Sequence, residues 1–386
     1  MKRLFLPLSA SVLVLTGCVA NEPASNSADT AAQESLSVQI TDDKCDVSAN
    51  NVKAGRTSFK LANKGTVRNE FEILAEDKLR IVGERENLGP GTTTDYTVLL
   101  QPGTYYTACK TNMVGALVDV KEFTVAENPD AEVNTDDKAL IDAATTNYSA
   151  YVRDQTGQLL TKTQEFAAAY KAGDVEKAKA LYAPTRAYYE RIEPTAESFG
   201  DIDPALDERE ADFQEDDSKG DRQWTGWHVI EKDLWEGAAV DRTAVGDQLV
   251  ADTQKLYDLV YSAEFQVNLD DISNGAIGLL EEVATSKITG EEEAFSHTDL
   301  QDFAANVEGA KVAFGNVEEL AKQTDPDLAK TISARFTALE QALKQYQEGE
   351  GYVSYDKLDE KQRRELSDQV DALRVPLAKL TEAIVK

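Results

Sequence analysis

Two periods of hydrophobic alternation divide this chain. From about residue 37 to residue 126, apolar positions recur every second residue in short runs: S-L-S-V-Q-I-T, T-S-F-K-L-A, E-F-E-I-L, T-D-Y-T-V-L-L, T-Y-Y-T-A-C and K-E-F-T-V. Turn residues separate them at Ala54-Gly55, Asn63-Lys64-Gly65, Gly89-Pro90-Gly91 and Pro102-Gly103. Alternation of period two with turns at this spacing predicts six or seven strands packed as a β-sandwich. After the polar stretch E-N-P-D-A-E-V-N-T-D-D the period lengthens. Tyr148, Val152, Leu159, Phe166 and Tyr170 recur at four and seven, and Leu366, Val370, Leu373, Leu377, Leu380 and Ile384 at three and four. These are core stripes of long amphipathic helices. Breaks at Gly173, Pro204, Gly220, Gly237, Gly290 and Pro326, with Asp174, Thr298 or Asp299, and Asp325 as N-caps, predict eight or nine helices in two packed bundles. The expected fold class is multidomain, all-β plus all-α: a sandwich over residues 37–126, then a helical domain over 135–386.

The N-terminus departs from both patterns. Lys2 and Arg3 precede an apolar run, Leu4 to Leu15, too short to span a membrane as a mature helix. The run ends in Leu15-Thr16-Gly17-Cys18, which looks like a bacterial lipobox, with Cys18 as the lipidated residue. Residues 1–18 then form a lipoprotein signal peptide, and the small polar residues 19–36 a flexible tether. That address is extracytoplasmic, lipid-anchored to the cell membrane, in the periplasm or on the outer face. Only Cys45 and Cys109 remain, and in an oxidising compartment such a pair is a disulfide candidate or a soft metal site.

Charge narrows the partners. Forty Lys and Arg against 70 Asp and Glu leave −30, the wrong sign for nucleic-acid binding and the right one for gathering cations. In L-Q-P-G-T-Y-Y-T-A-C-K-T-N-M-V-G a strand ends at Cys109 with Met113 four residues later, and this resembles the ligand loop of cupredoxins. The segment contains no His, which excludes a type 1 copper centre. The candidates for a second metal there are Cys45, Cys109, Met113 and Glu72, with Glu70 beside it. Glu70, Glu84 and Glu86 read as a solvated rim able to hold a hard cation only weakly.

The chemistry concentrates around W-T-G-W-H-V-I-E-K-D-L-W, Trp224 to Trp235. This stretch holds all three tryptophans and one of two histidines. His228 and Glu231, three apart, are neighbours on one helix face. Upstream, residues 190–217 carry twelve carboxylates against two arginines. Glu190, Glu193 and Glu197 form a stripe at helical spacing, bracketed by Tyr188, Tyr189 and Phe199. Packed face to face, the two helices would converge several carboxylate oxygens on one imidazole, a set suited to Fe(III), Fe(II), Mn or Zn. Alternatively, Arg186 and Arg191 neutralise the stripe as structural ion pairs. Lys232 stands where an inverted zinc-peptidase motif needs its second His, so that motif is incomplete. The tryptophans read as packing that fixes the helix.

The longer motifs A-P-T-R-A-Y-Y-E-R-I-E-P-T-A-E-S-F-G-D-I-D-P, W-T-G-W-H-V-I-E-K-D-L-W and G-L-L-E-E-V-A-T-S-K-I-T-G-E-E-E resemble the EfeO family of bacterial iron-uptake proteins, as do G-E-R-E-N-L-G-P-G and T-A-C-K-T-N-M-V-G. The resemblance implies a cupredoxin-like first domain and an imelysin-type helical one. It implies an extracytoplasmic iron-binding protein, not an enzyme, that works with a ferrous-iron permease and a haem peroxidase. Iron, Fe3+ or Fe2+, would be the bound metal, with copper or zinc as further candidates. The family's metal residues fall on His228, Glu231, Glu190, Glu193 and Glu197, with Asp212 placed alongside them. Ser48 and Thr107 stand where some members carry Met, which weakens a copper site of the family type. Two other readings compete: an imelysin-like metallopeptidase, and a calcium- or polysaccharide-binding surface lipoprotein using Asp201 and Asp203.

Overall fold

The alternating runs do form strands. In a computed structural model, which describes residues 35–112, 116–129, 137–215, 220–263, 265–285 and 287–385, nine strands precede the helices. They are β1 (Leu36–Ile40), β2 (Cys45–Val47), β3 (Asn51–Lys53), β4 (Gly55–Asn63), β5 (Asn69–Leu74), β6 (Ile81–Leu88), β7 (Thr93–Leu100), β8 (Gly103–Thr111) and β9 (Val118–Ala126). One sheet is ordered β2-β1-β4-β7, the other β3-β9-β8-β5-β6. Pairing is antiparallel except for β1 with β4 and β3 with β9. Phe59 and Leu61 from the first sheet meet Phe71, Ile73 and Phe123 from the second, with Phe59 and Phe71 ring centres 5.3 Å apart. Cys45 of β2 is disulfide-bonded to Cys109 of β8, so the bridge joins the two sheets through their core. This resolves the alternatives left open for the two cysteines: as a disulfide, neither sulfur is a thiolate ligand. Cys18 and Met113 lie outside the described residues.

Register also separates Glu72 from the cysteines. Phe71 pairs with Cys109 and faces the sandwich core, so Glu72, paired with Ala108, points to the opposite face of the sheet. The expectation of one ligand set containing Glu72 and the cysteines fails on that alternation. Glu72 instead faces the helices.

The helical part comprises α1 (Asp137–Lys171), α2 (Val175–Glu190), α3 (Ile202–Asp207), α4 (Glu210–Glu215), α5 (Trp227–Glu236), α6 (Arg242–Val260), α7 (Leu269–Thr285), α8 (Asp299–Thr324), α9 (Pro326–Lys344), α10 (Glu360–Leu377) and α11 (Leu380–Ile384). A 3-10 turn, Glu193–Phe199, follows α2, and another, Lys287–Thr289, follows α7. Asp174 and Asp325 cap α2 and α9 through side-chain bonds to Lys177 N and Leu328 N, as the sequence predicts. Thr298 occupies the α8 cap position without capping the helix; its hydroxyl bonds Ser296 and Glu293 instead. A single apolar core runs from Ala144 to Ile384, shared by all the longer helices. No helix among the described residues is long and apolar enough to cross a membrane.

Helix α1 is common to both halves. Ala150 packs on Leu74, Ile81 and Ala108 of the sheet, and the Asn147 amide donates to the Val82 carbonyl at 3.1 Å. Lys110 of β8 lies between Glu72 (2.9 Å) and Asp154 of α1. Two turns of packing further on, Leu159, Phe166 and Tyr170 enter the helical core. The Tyr170 hydroxyl donates to Asp233 of α5 at 2.9 Å.

Candidate functional site

The site begins with the way α5 starts. Gly226 precedes it at φ 91°, and a Cβ there would lie 2.1 Å from the Leu206 carbonyl oxygen. Only glycine permits α5 to abut the end of α3 so closely. Trp227 then packs among Phe166 and Tyr182, and Trp224 Nε1 donates to the Glu208 carbonyl at 2.7 Å. The tryptophans are packing, as the sequence suggests.

His228, fully buried, is thereby delivered against Asp207, the residue after Leu206. Its Nε2 is 3.4 Å from Asp207 Oδ1 yet has no hydrogen-bond partner. On the other edge Nδ1 lies 3.2 Å from Glu231 Oε2 and 3.9 Å from Glu293 Oε1. Glu231 Oε1 in turn accepts from the backbone N–H of Phe295 (2.9 Å) and Ser296 (2.7 Å). The Phe295-Ser296 stretch therefore serves the site through its backbone. Ligand-capable atoms of His228, Asp207 and Glu292 converge within 4.8 Å, as do those of His228, Glu231 and Glu293.

Arg186, wholly buried, ties these groups to the acidic helix. It pairs with Glu190 (2.5 Å), Asp207, Glu293 (2.7 Å) and Asp302 (3.3 Å). Lys287, on the turn after α7, lies 2.7 Å from Glu193, 3.2 Å from Glu190 and 3.5 Å from Glu292. Close approach is again arranged by glycine: a Cβ at Gly275 of α7 or Gly309 of α8 would strike the Pro194 or Arg191 carbonyl oxygen. Seven carboxylates (Glu190, Glu193, Asp207, Glu231, Glu292, Glu293 and Asp302) thus meet two permanent cations and one imidazole. So much uncompensated negative charge at low dielectric demands protons or a metal ion.

The protonation pattern follows. Burial pushes Glu293 well above the usual carboxylate range, reinforced by the nearby Glu231 charge. Burial likewise carries Asp302 up to about 8 against the pull of Arg186. For Glu190 the order reverses: Lys287 and Arg186 outweigh burial and hold it down at about 2. Burial opposes charge on His228 and Glu231 alike, but their mutual hydrogen bond prevails, raising the first and lowering the second.

Two openings reach this cluster. A cleft of about 460 Å³ is bordered by Glu193, Asp203, Asp207, Glu208, Asp212, Glu282 and Glu292; a smaller one of about 280 Å³ by His228, Glu231, Glu292 and Arg209.

The expected ligands are therefore distributed. His228 and Glu231 are together. Glu190 and Glu193 do not converge on the imidazole; they are held on Lys287 and Asn306, with Arg186 between Glu190 and His228. Asp212 is exposed and paired with Arg209 at 2.7 Å, so it stands on the cleft rim, because α4 turns it outward. Glu197 lies on the 3-10 turn with its side chain outside the described residues. Sequence reasoning missed Asp207, Glu292, Glu293 and Asp302. The signals for the first three were the acidic run and the G-E-E-E motif; nothing in the sequence marked Asp302. In the sandwich, Glu70, Glu84 and Glu86 also offer oxygens within 4.8 Å of one another, and burial raises Glu70 to about 8 and Glu84 to about 7. Glu70 is thus buried, where the sequence suggested a solvated rim.

Known proteins resemble this chain closely. The imelysin family profile, peptidase M75, matches residues 144–380, and a cupredoxin-like domain profile matches 9–118. "Iron uptake system component EfeO" of Escherichia coli K12 is 38% identical over 383 residues, 98% of this chain and 97% of its own. The protein of the same name from E. coli O1:K1 is 39% identical over 349 residues, 89% and 90% of the two chains. That from Shigella flexneri is 38% identical over 383 residues.

Proposed function

Because this chain belongs to the EfeO family of iron uptake system components, built on an imelysin domain, we propose that it captures iron outside the cytoplasmic membrane and delivers it to a membrane iron permease. The observation that carries this reading is the buried, unpartnered Nε2 of His228, which faces oxygens of Asp207 and Glu292. An orphaned imidazole nitrogen among carboxylates is a costly arrangement in an empty protein and a favourable one around a cation. Nε2, Asp207 and Glu292 would hold the ion. Glu231 would fix the tautomer by accepting the Nδ1 proton, itself anchored by the Phe295 and Ser296 N–H groups. One nitrogen and several hard oxygens suit Fe(III) or Fe(II) better than Cu(I).

The role is carriage and not turnover. A peptidase of this motif needs a second imidazole, and His297 is in neither ligand group. Lipidation at Cys18 would keep the carrier near the permease, raising its effective concentration there. The sandwich would dock on a partner of the uptake system, a permease or haem peroxidase, and its inter-sheet disulfide suits an oxidising compartment.

Calorimetric titration of Fe(III), supplied as citrate, into wild type, His228→Ala and Glu231→Gln tests the proposal. Loss of the ligand should weaken binding at least as much as loss of its orienting partner, about 10- to 100-fold. Equal affinity in His228→Ala would remove the basis of the reading.

A further inference from the structure

The two clefts that reach the cluster meet at a single pair of side chains. Among the described residues that line them, only Arg209 and Glu292 border both. The groups proposed to hold the ion are divided across this boundary. Asp207 lines the larger cleft, His228 the smaller, and Glu292 stands between them. An ion held by His228 Nε2, Asp207 and Glu292 would therefore sit at the partition itself.

Three cations face Glu292, and one of them differs in kind. Lys287 lies 3.5 Å and Arg186 4.0 Å from Oε1, and both are buried. Arg209, in the connection between α3 and α4, has a side chain 23% exposed and places Nη1 3.8 Å from Oε2. That separation is Coulombic contact only, beyond the reach of a hydrogen bond. The hydrogen bonds of Arg209 go instead to Asp212 on the cleft rim, from Nε at 2.7 Å and Nη2 at 3.2 Å. Its planar fork thus has an outer anchor at Asp212 and an inner attraction to Glu292. The inner contact can be given up without breaking a hydrogen bond.

We infer that Arg209 is a movable partition that gates the passage of the ion into and out of the site. The inference rests on ion capture at His228, Asp207 and Glu292 and adds how entry and exit are controlled. A carboxylate has two oxygens, so Glu292 can bind an ion through one and attract the guanidinium with the other. The partition therefore stays drawn across the site after capture as well as before it. It opens when Arg209 withdraws onto Asp212, and passage in either direction waits on that movement. Asp212 is the latch of the open state, a role on the rim that does not make it a ligand.

Stopped-flow mixing of the full chain with Fe(III) citrate gives the capture rate from quenching of tryptophan fluorescence. All three tryptophans lie within Trp224–Trp235, so the signal is local to His228. Release into EDTA, at concentrations where the rate no longer depends on the chelator, gives the reverse step. For a gate open about a tenth of the time, Arg209→Ala should raise both rates about tenfold and leave the Kd close to wild type. Asp212→Asn should slow both. Both side chains reach the surface, so neither substitution disturbs the core. Competing roles move the rates differently. If the Arg209 charge merely repels the ion, its loss speeds capture and slows release. If Arg209 only orients Glu292, its loss speeds release alone. If Asp212 is a ligand, Asp212→Asn speeds release. Any of these three patterns overturns the gate while iron capture stands. A wild type that binds no Fe(III) overturns capture, and the gate with it.

Discussion

Gly226→Ala should damage both stability and metal capture, and the structure gives the size of the effect. The added Cβ would sit 2.1 Å from Leu206 O, 2.5 Å from Leu206 C and 2.9 Å from Ala205 O. All three are backbone atoms, so no side chain can rotate away. Ordinary contact begins near 3.4 Å, so the start of α5 and the end of α3 must separate by about 1.3 Å, the difference between 3.4 and 2.1. The residue also has φ 91°, where an L side chain is strained by about 1–2 kcal/mol. Overpacking adds about 1–3 kcal/mol, for a total of about 2–5 kcal/mol. His228 follows Gly226 by two residues and Asp207 follows Leu206 by one, so the same separation opens the Nε2 to Oδ1 gap from 3.4 Å. Iron affinity should fall about 10- to 100-fold. Urea denaturation and Fe(III) titration read the two effects. Gly278→Ala, a helical position with nothing within 4 Å, is the control and should stabilise by about 0.5–1 kcal/mol. A Gly226→Ala protein with wild-type stability and affinity would show that the abutment of α3 and α5 does not set the site.

Three further outcomes are expected. Replacing Cys45 and Cys109 by Ser should cost the sandwich about 4 kcal/mol, from the 64-residue separation of the bridge, while Fe(III) titration of the helical site stays unchanged. Lys110→Met leaves Glu72 and Asp154 buried without their shared cation and should destabilise by about 3–5 kcal/mol at pH 8, measured by calorimetric unfolding, and by less at pH 5, where Glu72, pushed up to about 8 by burial, is protonated. Glu70 and Glu84 titrate near 8 and 7 in the folded protein against 4.5 in the unfolded chain. The folded state therefore holds protons that the unfolded state releases, so stability declines as pH rises from about 5 through 8. Glu70→Gln should flatten that decline in urea titrations, and a slope equal to wild type would refute the assignment.

The sequence carried most of the fold because amphipathic period is a local property. β4, β5, β7, β8 and β9 each fall on an alternating run, and the caps Asp174 and Asp325 on their helices. β6 escaped because its run, I-V-G-E-R-E-N-L, is dominated by charge and reads as a loop. The exposed Arg85-Glu86 edge hides its pairing with β5. The site was legible only in part, for a related reason. His228 and Glu231 lie within one helical turn and could be paired by counting. Asp207, Glu292 and Glu293 join them from α3 and from the connection between α7 and α8, separations of up to 65 residues that no spacing rule spans. Nothing local distinguishes Asp207 from the other carboxylates of the acidic stretch. Its selection depends on Gly226 and Leu206 touching. The lysine at 287 likewise carries no sequence mark of its burial.

A helix of 35 residues is about 52 Å long, and α1 is gripped along that length by both halves of the molecule. Asp154, held by the sandwich, and Tyr170, held by α5, are sixteen residues apart, or about 24 Å. An unbroken helix between two clamps transmits rotation instead of absorbing it. A protein docked on the outer edge of the sandwich would apply its torque through α1 to Asp233, five residues beyond His228. One continuous helix thus carries contacts to the sandwich near one end and to the helix of His228 near the other.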